Sequence, residues 1–264
     1  MKLAAISDIH GNLPALEAVL ADIEQQGVDQ TVNLGDILSG PLQPAETADL
    51  LMARGFTTIR GNHERQVLEL IDQGQYLDPL GTDGYTAGQL TAAHVAWIRA
   101  LPERLELAGG AILLCHGTPG SDLVYWLETT TAGFGKGHPT GIRPATEDEV
   151  RERLGEAAQG GHSLVLCGHT HVPRLVQCGK VLVVNPGSVG LPAYDDAHPH
   201  PHVVENGAPH ARYAIAEKTA AGWRVDLRAV PYGHEAQSRV AAGRGRADWA
   251  HALATGWAWR GSPG

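Results

Sequence analysis

A chain of 264 residues with 43% hydrophobic and 19% charged residues has the composition of a soluble globular enzyme, and it is long enough to bury a substantial core. The formal net charge of -9, without any long run of Lys or Arg, excludes broad binding to a nucleic-acid backbone. No stretch approaches the roughly 18 apolar residues of a membrane span, and the first apolar run is too short for a signal peptide, so we expect no membrane association and a cytoplasmic location.

The 33 glycines and 16 prolines indicate many tight loops, which suits an active site built from loops on a single domain over residues 1–264. The three cysteines, Cys115, Cys167 and Cys178, are an odd number without close paired spacing. Two of them lie in apolar, strand-like runs. We therefore interpret the cysteines as buried thiols and not as disulfides or zinc ligands.

The first part of the chain alternates predicted strands and helices. Apolar runs predict strands at residues 3–7, 30–34 and 56–59, and helical spacing of apolar residues predicts helices at 14–26 and 45–54. Each strand ends in a polar loop. In open α/β sheets, the carboxyl ends of the strands form the edge where ligands bind, so these loops are the expected site.

The second part adds antiparallel strand pairs to this pattern. Helices are predicted at 84–100 and 146–158, and strands at 105–107, 111–115, 164–167, 174–178, 181–184, 211–217 and 223–229. The chain therefore reads as an α/β protein in which two βαβ regions are each followed by hairpins.

Three segments do not fit the regular pattern. Residues 121–143 have no period and are interpreted as a lid-like insertion. The loop His198-Pro199-His200-Pro201-His202 is expected to be solvated and stiffened by proline. Residues 231–264 form a C-terminal extension with an Ala-rich helix and three tryptophans, which we expect to pack onto the domain; a contact in a homo-oligomer is the alternative reading.

Polar side chains suited to metal binding follow the predicted strands. They are Asp8, His10, Asp36, Asn62, His116, His169 and His171. Any one of them alone could be structural, for example a helix cap or a turn residue. Together they supply oxygen and imidazole ligands without thiolate, which suits manganese, iron or zinc. Because they are too many for one ordinary site, they predict two ions that share a carboxylate.

The stretch Arg60-Gly61-Asn62-His63-Glu64 places several chemical functions side by side. The amide oxygen of Asn62 is a neutral ligand, the neighbouring imidazole of His63 can face a substrate, and Arg60 carries donors suited to phosphate oxygens. Glu64 is expected to cap the following helix or to orient His63.

These motifs together resemble a known family. Asp8-x-His10, Gly35-Asp36, Gly61-Asn62-His63-Glu64, His116-Gly117 and Gly168-His169-x-His171 look like the motif set of the calcineurin-like metallophosphoesterase superfamily. The segment Asn185-Pro186-Gly187-Ser188-Val189 is similar to that of its small bacterial and archaeal phosphodiesterase branch. The resemblance covers about residues 8 to 190 and implies a four-layer α/β/β/α sandwich with two mixed β-sheets.

The resemblance also implies roles for individual residues. One metal ion would take Asp8, His10, Asp36 and His171, and the other Asp36, Asn62, His116 and His169. Asp36 would bridge the ions, which would hold a hydroxide as nucleophile. His63 would stand near the leaving oxygen as general acid or as a donor to developing charge, while Asn12, Arg60 and Asn62 would help to orient the phosphate. Manganese is the expected metal, with iron, zinc, nickel and cobalt as alternatives.

The function implied is hydrolysis of a phosphodiester, or also a phosphomonoester, in a small molecule or nucleotide. Alternatives are a diadenosine-tetraphosphate hydrolase, a protein Ser/Thr phosphatase, and a non-catalytic scaffold of the kind found in retromer. The form Arg60-Gly61-Asn62-His63-Glu64 occurs in protein phosphatases, but the Arg-Gly that follows Gly-Asp in those enzymes is absent here. Many relatives of the small branch have Pro-Arg where this chain has Pro192-Ala193, and Arg60 is the expected substitute for that arginine.

Overall fold

The computed structural model describes residues 1–74 and 81–261. In those ranges the strands are β1 (Lys2–Ile6), β2 (Gln30–Asn33), β3 (Thr57–Thr58), β4 (Leu105–Leu107), β5 (Ile112–Leu114), β6 (Glu128–Thr130), β7 (Ile142–Pro144), β8 (Leu164–Leu166), β9 (Arg174–Cys178), β10 (Val181–Asn185), β11 (Ala193–Asp196), β12 (His202–Glu205), β13 (Ala211–Thr219) and β14 (Gly222–Val230). The α-helices are α1 (Leu13–Gln26), α2 (Pro44–Arg54), α3 (Asn62–Asp72), α4 (Thr82–Gln89), α5 (Ala92–Ala100), α6 (Glu147–Leu154), α7 (His234–Gly243) and α8 (Ala247–Thr255).

The first sheet has the strand order β14-β13-β1-β2-β3. Strands β1, β2 and β3 are parallel, and Ala5 lies opposite Val32 in the register. On its other side β1 pairs with β13 in antiparallel fashion, so that Ala5 also faces Ala214. Because the three parallel strands run the same way, the loops after them meet at one edge of the sheet.

The second sheet has the order β4-β5-β8-β10-β9. Strands β5, β8 and β10 are parallel, with Leu166 opposite Leu114 on one side and Val184 on the other. The outer strands β4 and β9 are antiparallel to their neighbours. The carboxyl ends of β5 and β8 therefore also meet at one edge.

Side chains of β1 alternate between two separate hydrophobic cores. Leu3 and Ala5 pack between the two sheets, whereas Ala4 and Ile6 pack against the helices on the outer face of the first sheet. Strand β8 does the same in the second sheet, where Val165 faces outward toward α6. Continuous apolar runs are expected for strands that are buried on both faces. The arrangement confirms the four-layer α/β/β/α sandwich with two mixed sheets.

The cysteines lie where their apolar neighbours indicated. Cys115, Cys167 and Cys178 are buried free thiols in the core between the second sheet and α6. Burial raises the pKa of the Cys115 thiol, which keeps it protonated and unreactive. None of the helices in residues 1–74 and 81–261 combines the length and the apolar character needed to cross a bilayer.

The predicted helix at 84–100 was wrong as a single element. The chain forms α4 and α5 instead, because the side chain of Thr91 accepts a hydrogen bond from the backbone N–H of His94 at 3.3 Å and caps a new helix. The insertion at 121–143 contains β6, whose partner β7 begins at its end. Four strands of the described residues were not predicted: β6 and β7, and also β11 and β12, which form a hairpin around the histidine-rich loop.

Candidate metal centre

Six of the seven predicted ligands form two buried clusters at the edge where the parallel strands end. One cluster contains Asp8, His10 and His171, and the other contains Asp36, His116 and His169; within each, the potential ligand atoms lie within 4.8 Å of one another. The clusters are adjacent, because Nε2 of His116 lies 3.0 Å from Oδ2 of Asp36 and 4.0 Å from Oδ1 of Asp8.

The first cluster is shaped to receive a cation. Nδ1 of His10 lies 2.7 Å from the carbonyl oxygen of Ser39, and Nδ1 of His171 lies 2.7 Å from that of Leu191. A carbonyl only accepts, so both Nδ1 atoms carry the proton and both Nε2 atoms present lone pairs. These two Nε2 atoms are 3.1 Å apart. Two lone pairs at this distance repel each other unless a cation lies between them, so the residues fit a metal ion.

The second cluster repeats this arrangement and adds the seventh residue. Nδ1 of His116 donates to the carbonyl of Leu34 at 2.8 Å, which turns its Nε2 toward Asp36 and toward Oδ1 of Asn62, 3.1 Å away. The amide nitrogen of Asn62 donates to Gln66 at 3.3 Å, so its oxygen faces the cluster. An imidazole, a carboxylate and an amide oxygen again converge where a cation would fit.

The ionisation of the histidines follows from burial and from these neighbours. Burial, and after it the electrostatic interaction with His171, lower the pKa of His10 to about 3. Burial and His116 lower the pKa of His169 to about 4. Burial opposes protonation of His116 as well, but the charge of Asp36 outweighs it and raises the pKa to about 9. His10 and His169 therefore offer free lone pairs at neutral pH, whereas His116 must exchange a proton for a metal ion.

Backbone strain is concentrated in these loops. Among the non-glycine residues of the described ranges, positive φ angles occur at Asp8 (54°), His10 (52°), Asp36 (51°), His169 (69°) and His171 (59°), and otherwise at Ala108. L-residues avoid this region, at a cost of order 1 kcal/mol or more each, and such strain clusters at functional sites. Five of the six strained residues are candidate ligands, which sets these loops apart from ordinary turns.

Glycines allow the ligand loops to approach each other closely. A Cβ atom on Gly61 would lie 2.2 Å from Oδ1 of Asp36, and one on Gly35 would lie 2.3 Å from the backbone nitrogen of Gly61. A Cβ on Gly168 would lie 2.0 Å from Oγ of Ser7. The glycines of the motifs are therefore required by packing around the clusters and not only by turn geometry.

Glu64 joins two of the ligand loops through its buried carboxylate. It accepts backbone N–H groups from Asp36 at 2.9 Å, Ile37 at 2.7 Å and Gly61 at 2.8 Å. The contact with Gly61 is the Glu64 half of a capping box at the start of α3, since glycine has no side chain to supply the other half. Glu64 thus caps its helix, one of the two roles expected for it, and also fixes the loop that carries Asp36.

His63 lies beside the clusters and has a partner that the sequence did not reveal. Its Nδ1 is 2.8 Å from Oδ1 of Asp83, which also accepts a hydrogen bond from Ser39 at 2.5 Å. Burial disfavours the charged form, but the charges of Asp36 and Asp83 and the hydrogen bond to Asp83 raise the pKa of His63 to about 10. His63 is therefore protonated at neutral pH. Asp83 was missed because it lies in the first turn of a helix whose start was predicted two residues later.

The segment Asn185-Pro186-Gly187-Ser188 supports the ligand loops from behind. The amide nitrogen of Asn185 donates to the carbonyl of Gly168 at 2.7 Å. The hydroxyl of Ser188 donates to the carbonyl of Asp8 at 2.7 Å and accepts from the backbone of Leu191 at 2.8 Å. This segment therefore holds together the loops that carry Asp8 and His169.

Two predicted substrate-binding residues are not brought to the clusters. Arg60 forms an ion pair with Glu103, and it does not line the cavity above the clusters. Asn12 is buried, caps α1 by accepting from Ala15, and donates to the carbonyl of Gly190 at 2.8 Å. Neither side chain lines the cavity, and the phosphate-binding role expected for both stays a prediction.

The clusters open into a cavity of about 910 Å³. Candidate ligands and His63 line its floor. Its walls come mainly from the insertion, the β11–β12 hairpin and the C-terminal extension. The residues of these three segments at the wall include Leu123, Val124, Tyr125, Thr129, Tyr194, Asp195, Asp196, Trp249 and Trp259. Trp249 of the extension is buried against Leu42 and Leu191. The extension therefore builds part of the site.

A pair of tyrosines connects the cavity wall to two of the histidines. The ring of Tyr125 packs edge-on against His169 and that of Tyr194 against His171, with centroids 4.9 and 4.7 Å apart. Their hydroxyl oxygens are 2.6 Å apart, and that of Tyr125 lies 3.0 Å from Nε2 of His202. The expectation of a solvated histidine loop was wrong for His202, which is buried because it faces inward from β12.

Comparison with known proteins identifies the family. Residues 1–205 match the calcineurin-like phosphoesterase superfamily domain. The chain belongs to this superfamily. It is 28% identical over 202 residues to phosphodiesterase YfcE of Escherichia coli K12, covering 73% of this chain and 81% of that protein. It is also 28% identical over 211 residues to an uncharacterized protein of Methanocaldococcus jannaschii, covering 72% and 76% of the two chains.

Solved structures agree with this membership. A metallophosphoesterase from Sphaerobacter thermophilus is 25% identical, with a TM-score of 0.71, and the match covers 97% of this chain and 100% of that one. A protein from Pyrococcus horikoshii has the same fold, with 21% identity, a TM-score of 0.67 and coverage of 96% and 97%. Family membership implies phosphoester hydrolysis that depends on divalent metal ions, and the two clusters are the candidate sites for those ions.

Proposed function

We propose that this protein is a dimetal phosphodiesterase that acts on a small molecule or nucleotide. The observation that carries the proposal is the pair of adjacent donor clusters at the floor of one cavity, where histidine lone pairs face each other 3.1 Å apart. In this assignment Asp8, His10 and His171 hold one ion, and Asn62, His116 and His169 hold the other. Asp36 is the shared ligand.

The donor set favours manganese, with iron, zinc, nickel and cobalt as alternatives, because it contains imidazole and oxygen but no thiolate. When bound, a pair of divalent cations supplies Lewis acidity to the phosphate and generates the nucleophile from water at neutral pH.

His63 is proposed to protonate the leaving oxygen. It lines the cavity next to the ligands, and its hydrogen bond to Asp83 fixes the ring with Nδ1 turned away from the clusters. The other nitrogen, Nε2, is then free to donate to a leaving group. A general acid must be protonated at the working pH, and the raised pKa of His63 meets that condition.

The test combines metal analysis with hydrolysis of an aryl phosphodiester by protein prepared with manganese. We expect about two ions per chain. His63→Ala should lower kcat about 100-fold or more with metal content retained, whereas Asp36→Asn should lose metal and activity together. If the His63→Ala protein keeps full turnover on an ester with a poor leaving group, the proposed acid is wrong.

A substrate panel separates the related activities. Rates on a phosphodiester, a phosphomonoester, a dinucleoside polyphosphate and a phosphopeptide should be compared with the same enzyme preparation. We expect the phosphodiester to have the highest kcat/KM, in keeping with the similarity to a phosphodiesterase of Escherichia coli. Absence of stoichiometric metal and of all four activities would instead favour a non-catalytic scaffold.

A further inference from the structure

Large apolar side chains exposed to solvent gather at the mouth of the cavity. In residues 1–74 and 81–261, seven such side chains are exposed, and three of them line the cavity: Leu123 (54%), Val124 (44%) and Trp259 (41%). Single exposed apolar residues are ordinary, but a group around a site marks a surface that binds something. The proposed chemistry at the floor of the cavity does not require these exposed apolar side chains.

Leu123 and Val124 are held next to the metal ligands. They lie near the start of the insertion, and a hydrogen bond joins the side chain of His169 to the backbone of Leu123. The backbone of Val124 also packs on Gly117, where a Cβ would lie 2.8 Å from its carbonyl oxygen. The position of these two apolar side chains at the cavity wall is therefore fixed by the fold.

Trp259 is fixed in a similar way. Its ring packs edge-on against His251, with centroids 5.3 Å apart. The next residue, Arg260, pairs with Glu205 at 2.9 Å and donates to the carbonyl of Pro139 at 3.1 Å. The C-terminal extension is thus tied to the β11–β12 hairpin and to the insertion, and it presents Trp259 at the rim.

Trp249 extends the apolar surface down to the floor. It is 6% exposed, and its ring centroid lies 5.9 Å from that of His10. The same cavity also contains polar wall residues, among them Thr129, Thr130 and Asp195. A flat aromatic group with polar edges can use both kinds of contact, whereas an alkyl chain can use only the apolar one.

We propose that the preferred substrate is a phosphodiester whose retained ester group is a nucleoside, with its base packed against Leu123, Val124, Trp249 and Trp259. This inference rests on the proposed phosphodiesterase function. The cavity volume of about 910 Å³ is in the range that encloses an organic ligand of this size, and it far exceeds the needs of a phosphate alone.

The test uses esters that share p-nitrophenol as leaving group and differ only in the group retained on phosphorus: methyl, n-butyl, phenyl and thymidine 5′. Because the leaving group is constant, differences in kcat/KM report binding of the retained group. We expect the phenyl and thymidine esters to exceed the methyl ester by about tenfold or more, as contacts in an apolar pocket allow. A butyl ester as good as the phenyl ester would overturn the aromatic preference.

Two pairs of variants locate the effect. Leu123→Ser and Trp259→Ser should each lower the ratio of kcat/KM for the thymidine ester to kcat/KM for the methyl ester about tenfold. The matched controls Leu175→Ser and Trp257→Ser replace equally exposed side chains that do not line the cavity, and they should change neither rate. Calorimetry measures the binding of thymidine 5′-monophosphate and of methyl phosphate, and their affinities give the same comparison without turnover.

The outcomes distinguish the two proposals. If no ester is hydrolysed by protein that contains metal, the proposed function fails. If all esters are hydrolysed at similar kcat/KM, or if Leu123→Ser and Trp259→Ser leave the preference for thymidine intact, only the present inference is overturned.

Discussion

The floor and the walls of the cavity are built in different ways. The floor consists of buried side chains on strained loops, and hydrogen bonds to backbone carbonyls fix its histidine rings, as for His10 and His116. The walls come from three separate additions to the sheets and include exposed side chains such as Leu123 and Trp259. The floor therefore has a fixed arrangement that suits the proposed cations, whereas the walls offer the exposed surface proposed to contact the substrate.

The largest expected effect concerns close packing at the floor. Gly61→Ala would place Cβ 2.2 Å from Oδ1 and 2.5 Å from the backbone nitrogen of Asp36. Because Glu64 locks both loops, they cannot separate easily, and we expect loss of metal from the Asp36 cluster, at least about 100-fold lower turnover and about 1–3 kcal/mol lower stability. Metal analysis and thermal unfolding measure these changes.

The matched control is Gly88→Ala in α4. A Cβ at that position meets nothing within 4 Å, so this helical substitution should be neutral or stabilising by up to about 1 kcal/mol. Two bound ions and normal turnover in the Gly61→Ala protein would show that the floor is more adaptable than its packing indicates.

Glu64→Gln tests the link between the loops. The carboxylate accepts three backbone N–H groups, and an amide in its place would offer one acceptor oxygen and turn a donor toward other donors. We expect the metal-free protein to lose about 2–3 kcal/mol of unfolding free energy in urea. Glu69→Gln, on the surface beside Arg65, should stay within about 0.5 kcal/mol of the parent. An equal effect of the two substitutions would contradict the proposed link.

Asp83→Asn acts on His63 and leaves the ligands in place. Asp83 raises the pKa of His63, so its neutralisation should lower that pKa and move the alkaline limb of the pH–rate profile to lower pH. We expect kcat to fall about tenfold on an ester with a poor leaving group such as phenol, and less with p-nitrophenol, which needs little protonation. Equal losses of kcat on both esters, or loss of metal, would argue against a role of Asp83 through His63. Asp72→Asn, which removes a carboxylate on the surface, is the control.

The difference between floor and walls also explains what the sequence could predict. The convergence of Asp8, Asp36 and His116 follows from their positions after parallel strands, which apolar runs reveal locally. The pairing of Asp83 with His63 depends on how α4 packs against α3, and no local pattern encodes that contact. The chemistry of Arg60 predicts a role toward the phosphate, and its ion pair with Glu103 is a contact that no local pattern indicates.

The walls were harder to predict for the same reason. The loop around His202 has the composition of a solvated segment, but His202 lies in β12 and its side chain faces inward. Its hydrogen-bond partner Tyr125 comes from the insertion. Trp249 and Trp259 predicted that the extension packs onto the domain. Nothing in their spacing shows that Trp249 lies beside His10 or that Trp259 lies at the cavity rim. Contacts between segments far apart in sequence decide these positions.

The smallest expected effect on metal binding and activity comes from a change in the tyrosines between the floor and the walls. Nδ1 of His202 donates to the carbonyl of His200 at 2.7 Å, so its Nε2 accepts the hydroxyl of Tyr125, which in turn accepts that of Tyr194. Tyr125→Phe keeps the ring against His169 and removes one link of this chain. One hydrogen bond contributes about 0.5–1.5 kcal/mol, so we expect at most about a tenfold loss in metal affinity and in kcat/KM. Tyr85→Phe, outside the cavity, is the control. If the Tyr125→Phe protein loses both ions, the hydrogen bonds of the wall are required for metal binding, and the small effect expected here is wrong.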